Sequence, residues 1–193
     1  MLTKMLPRSL LLIIGGLWLI ILLVDNCSGK RKWDYEPLSI EAYSTDESML
    51  KITARVERVG RGEFAISANI DFKYEPGDTT LVEALGYRSS SGNENDYKLI
   101  PFSIPKQPFT QFMNSHYKDV VIANLGGCSN LIQFEDQFEP PWPQKEYVLD
   151  KCVANSDGFP EVVPEGFYKV NFSMMNPVDW GFIVIVKIST KIM

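Results

Sequence analysis

Between Leu50 and Tyr74 apolar and polar positions alternate almost without a break. Leu50, Ile52, Ala54 and Val56 alternate with Lys51, Thr53, Arg55 and Glu57. After the turn Gly60-Arg61-Gly62, Phe64, Ile66, Ala68, Ile70, Phe72 and Tyr74 alternate with Ala65, Ser67, Asn69, Asp71 and Lys73. Period two marks strands with one wet face, and two such runs around a glycine-rich turn predict a hairpin. LVEALGY (81–87) predicts a further strand, and YKLIPFSI (97–104) a short one that Pro101 interrupts, which places it at an edge. EYVLDKCV (146–153), FYKVNFSM (167–174) and WGFIVIVKIS (180–189) predict three more. The last is apolar on both faces and is therefore expected at the centre of a sheet.

One segment has a different period. In residues 108–127, Phe109, Phe112, Met113, Tyr117, Val120 and Val121 recur three or four apart, which is one face of a helix. Pro108 suits its first turn and Gly126-Gly127 its stop, so an amphipathic helix is predicted over 108–123. Residues 133–145, with Pro140, Pro141 and Pro143, predict a rigid irregular segment. EPGDTT (75–80), SSSGNEND (89–96) and NSDGFPE (155–161) predict loops. Seven or eight short strands with one helix give the expected fold class: mainly β, a two-sheet antiparallel β-sandwich.

The first residues bear on the compartment. Lys4 and Arg8 precede an almost wholly apolar run, Ser9 to Val24, and small residues follow in NCSG (26–29). That order predicts a secretory signal peptide over 1–29, cut near Gly29, with 30–193 as a single domain. The other reading is an uncleaved anchor, which the shortness of the run and Gly15-Gly16 disfavour. Over the whole chain the net charge is −5; without residues 1–29, which carry Lys4, Arg8 and Asp25, 17 basic and 23 acidic residues leave −6. An acidic chain argues against nucleic acid or anionic lipid surfaces as primary partners.

Three cysteines are present, and Cys27 falls in the signal segment. In an oxidising compartment Cys128 and Cys152 most simply pair; the alternative is two buried free thiols. A zinc site lacks ligands, because His116 is the only histidine. The same scarcity bears on catalysis: a Ser-His-Asp mechanism needs that histidine as base, and no G-x-S-x-G elbow, P-loop or dinucleotide fingerprint occurs. No catalytic residue, metal or cofactor is therefore expected, and His116 is read as structural. The apolar sets of strands and helix (Phe64, Ile66, Ile70, Phe72, Phe109, Phe112, Met113, Tyr117, Tyr168 and Phe172) form either a filled core or the lining of a hydrophobic cavity. Asn171-Phe172-Ser173 is a glycosylation sequon, and alternation points Asn171 away from the apolar face.

RGEFAISANIDF (61–72), PFTQFMNSHYKDV (108–120) with CSNL (128–131), and KCVANSDGFPEVVPEGFYKVNF (151–172) resemble the insect CheB-type chemosensory proteins. These are similar in turn to the ganglioside activator and related ML lipid-recognition β-sandwiches. The likeness runs from KWDYEP (32–37) to the last strand, and its sharpest marker is Pro164, Gly166, Tyr168 and Lys169. The chain departs from the lipid-recognition relatives in having one possible disulfide where they carry several. The resemblance implies a secreted, non-enzymatic carrier or co-receptor of lipids or hydrocarbon-like contact pheromones. It would work in the sensillum lymph beside a chemosensory receptor or channel, without a stable membrane span. The rival expectation is an extracellular protein-interaction module with a solid core, acting through its loops.

Overall fold

The computed structural model describes residues 32–155 and 159–191, so the signal-peptide expectation falls outside the described residues. Nine strands are found there: β1 (Trp33–Ser44), β2 (Leu50–Gly60), β3 (Glu63–Phe72), β4 (Leu81–Ser89), β5 (Lys98–Leu99), β6 (Ile104–Pro108), β7 (Lys145–Cys152), β8 (Gly166–Met175) and β9 (Trp180–Thr190). They form two antiparallel sheets. The larger has the order β1-β9-β8-β4-β5, with β6 also pairing with β4; the smaller is β2-β3-β7. This is the β-sandwich that the alternation predicts. No helix among the described residues is long and apolar enough to cross a membrane.

The predicted hairpin is β2–β3, and its register sets Leu50, Ile52, Ala54 and Val56 opposite Phe72, Ile70, Ala68 and Ile66. β9 lies between β1 and β8, where its two apolar faces place it. Two expectations need correction. The segment 97–104 is not one strand: only Lys98 and Leu99 pair as β5, and β6 begins at Ile104. The break has a cause on β4, where a Cβ on Gly86 would stand 2.8 Å from the Phe102 carbonyl. Residues 100–103 cross over that glycine, and their approach needs the missing side chain. β1, read only as part of a family likeness, is a full strand whose pairing with β9 shifts between Pro37 and Ser39.

The helix, α1 (109–128), differs from the expected one in pitch. It opens as α (Phe109–Phe112), continues as a π-helix (Met113–Ile122), returns to α (Ala123–Leu125) and ends in a 3-10 turn (Gly126–Cys128). Bonds from i to i+5 widen the turn, so core positions step by four or five residues. Phe109, Met113 and Tyr117 are buried, Val121 and Ile122 pack against the core, and Val120 is exposed, contrary to the three-or-four spacing.

β1 and β2 lie along each other, so the sheets approach on that side. On the other, α1 and residues 129–144 fill the gap. Side chains of α1 and β7 hold that irregular stretch: Tyr117 Oη donates to the Ile132 carbonyl at 2.9 Å, Tyr147 Oη to Pro143 at 2.6 Å, and the Phe138 N–H to Asn114 Oδ1 at 2.7 Å. Cys128 and Cys152 are bonded, S–S 2.06 Å, tying the end of α1 to β7.

Candidate functional site

Register defines which side chains face each other across the sandwich. On β8, Tyr168, Val170, Phe172 and Met174 stand beside Val186, Val184, Phe182 and Trp180 of β9, and beside Arg88, Gly86, Ala84 and Val82 of β4. Ile40 and Ala42 of β1 continue the same face. Trp180 meets Phe72 edge-on at 6.2 Å, which identifies this face as the one turned to β3.

That face has three zones. At one end the core is solid and aromatic. Phe72 stacks on Tyr74 at 4.5 Å and meets Tyr147; Phe109 and Tyr117 meet Trp142; Phe112 reaches Phe172. Leu50, Val82 and Val178 are fully enclosed there. A buried polar pair is satisfied there, Trp180 Nε1 donating to Tyr74 Oη at 2.9 Å. Burial pushes Tyr74 and Tyr147 up to about 12, and Tyr117 higher, because a phenolate would lose its hydration.

At the opposite end Trp33, Tyr168 and Ile188 form a second, smaller cluster, with Tyr35, Ile100, Val163 and Val186 against it. The loop after β7 closes this end and is sewn down by inner-face residues. Trp33 Nε1 donates to the Pro160 carbonyl (2.9 Å), Tyr35 Oη to Ala154 (3.0 Å) and Tyr168 Oη to Pro164 (2.7 Å).

Between the two clusters the sheets do not close on each other. Val170, in the interior of the larger sheet and facing inward, is 39% exposed. Ile40, Ala42, Phe182, Val184 and Val186 around it are half-buried, as are Ile52, Ala54, Val56, Phe64, Ile66 and Ile70 on the facing sheet. The cause is side-chain length. Aligned sheets stand about 10 Å apart, and Val170 with its ladder partners Gly86 and Val184 reaches little of that distance from the larger sheet. From Tyr168 to Phe172 this floor is about 13 Å long at the strand rise per residue.

Residues 83–170 match a family described as a protein of unknown function (DUF1091). The match begins inside β4, ends inside β8, and takes in α1, both cysteines and the loop after β7. No curated protein matches the chain.

The predicted cavity residues divide between these zones. Phe72, Phe109, Phe112, Met113 and Tyr117 pack into the aromatic end, and Tyr168 into the second cluster. Phe64 and Ile66 remain half-buried on the smaller sheet, while Ile70 and Phe172, also half-buried, pack against the aromatic end. The sequence reading missed Val170, Val184, Ile40 and Arg88. In β9 the apolar run hides which side faces inward, and a lone arginine carries no motif. Two further hollows open at the surface, the first against Phe138 and Trp142 of the aromatic end. One, about 450 Å³, sits in the proline-rich segment between Phe134, Phe138 and Trp142. The other, about 270 Å³, lies by Tyr87, Tyr97, Lys169 and Asn171, on the face of β8 opposite the aromatic core. Asn171 thus points outward as alternation predicts, though it is half-buried. His116 stacks on Phe112, with Gln107 Nε2 3.2 Å and Ser115 Oγ 2.6 Å from its Nδ1. No metal-ligating cluster is found among the described residues.

Proposed function

We propose that this protein is a secreted, non-enzymatic binder of a hydrophobic small molecule or lipid, held between the sheets over Val170. The supporting observation is the exposure of inward apolar side chains on both sheets, at a level where each sheet should cover the other. Water against apolar walls is unfavourable, and a ligand there gains about 25 cal/mol for each Å² it removes from water. The resemblance to CheB-type chemosensory proteins supports the same reading and adds an extracellular chemosensory setting with a receptor or channel as partner. Native mass spectrometry of protein secreted from insect cells tests it: a co-purifying lipid is expected. Ligand-free protein that also leaves an apolar fluorescent probe unbound contradicts it.

The second reading, an interaction module, draws on a different observation. Phe102 is 72% exposed and Val162 67%, with Leu99 and Phe159 also open, all on or beside elements that close the second cluster. Polar replacement of Phe102 and Val162 that abolishes receptor binding and leaves probe binding intact favours it.

A further inference from the structure

Arg88 stands on the inner face of β4, directly across the ladder from Tyr168 and diagonal to Val170, whose ladder partner is Gly86. Diagonal neighbours of this kind lie about 7 Å apart. Its Nη2 donates to the Glu165 carbonyl at 2.6 Å and the Tyr168 phenol lies beside the guanidinium, while its Nε is buried without a hydrogen-bond partner. A buried donor on a permanently charged group that goes unmatched costs stability, and calls for an explanation. The position is tightly built: Gly166 has φ +140, and a Cβ there would fall 2.6 Å from the Ser89 carbonyl and 3.6 Å from Arg88 Nε.

A second observation points the same way. Lys98 of β5 is the direct ladder partner of Arg88. Like charges opposite each other repel, and among the described residues no carboxylate forms an ion pair with either. Glu165 offers Arg88 its carbonyl and turns its carboxylate to the Thr190 N–H at 2.8 Å. In a chain of net charge −5 this is a local excess of cations. It sits at the rim of the apolar opening.

We propose that the ligand is an amphiphile with an anionic oxygen head, a carboxylate or a similar oxyanion, held by Arg88 with Lys98 beside it while its chain lies over Val170. This rests on the binding function proposed above and names its ligand class. An oxyanion beside the guanidinium offsets the Arg88–Lys98 repulsion and accepts charge-assisted hydrogen bonds, which are the strong ones. A neutral chain end does neither.

Displacement of bound N-phenylnaphthylamine from the intact secreted protein tests this with decanoate, decanol, decylamine and inorganic phosphate. Decanoate is expected to bind at least tenfold tighter than decanol, with decylamine and phosphate weakest. Arg88→Gln is expected to lower decanoate to the level of decanol and leave decanol within twofold. Arg88→Lys should keep a reduced preference, and Lys98→Gln should weaken decanoate about twofold. Decanol binding as tightly as decanoate overturns the head-group assignment while the apolar site stands. Phosphate matching decanoate overturns it too, by making the site one for free anions. Failure of every ligand and of the probe overturns both this assignment and the binding function. Should Arg88→Gln fail to fold, the wild-type ligand ranking and Lys98→Gln decide.

Discussion

Phe172 and Val170 are two residues apart on one strand and face the same way, yet one touches Phe112, Trp180 and Phe182 while the other is 39% exposed. Their surroundings follow the same alternation. What differs is size: rings converge around Phe172, whereas the ladder partners of Val170 are Gly86 and Val184. Alternation decides which way a side chain points. Volume decides whether the space it points into is filled.

If that contrast is right, stability and binding should separate along β8. Trp180→Ala or Phe72→Ala, in the filled end, is expected to cost about 3–5 kcal/mol in urea unfolding, whereas Val170→Ala should cost under about 1. Equal losses at both places would mean the middle is packed after all. Removal of the disulfide by the double change Cys128→Ser and Cys152→Ser comes next. It should cost about 3 kcal/mol, the scale for a loop of this length, by loosening the end of α1 where the aromatic zone gives way to the open one.

Alkaline pH weighs most on the filled end, although burial raises Tyr168 of the second cluster as well. Tyr74 and Tyr147 have folded-state values raised to about 12 by burial, while the unfolded chain ionises near 10. Their contribution is complete below pH 10 and is lost as pH rises towards 12, since the unfolded state releases its protons first. The melting temperature should be flat from pH 7 to 9 and fall above 10. Tyrosinate absorbance of these residues should appear only with unfolding; its appearance in folded protein would show that their rings reach water.

Much of this was legible in the chain. The β2–β3 hairpin, the central place of β9, the Cys128–Cys152 pair and the two-sheet class follow from period, composition and cysteine count. The pitch of α1 did not follow, because Phe109, Met113 and Tyr117 fit either a narrow or a wide turn, and only the outward Val120 tells them apart. The split of 97–104 turned on Gly86, which lies on another strand. Of the candidate site, the direction of the apolar residues was legible. Which of them pack and which stay open was not, because that depends on what the opposite sheet places at the same level.

The most direct measurement is probe binding by Val170→Phe, with melting recorded in parallel. Filling the space between the sheets is expected to leave the melting temperature unchanged or slightly higher and to weaken N-phenylnaphthylamine binding at least tenfold. A variant that binds as the wild type does, or one that unfolds because no room exists for the ring, contradicts an open apolar site at the middle of this sandwich.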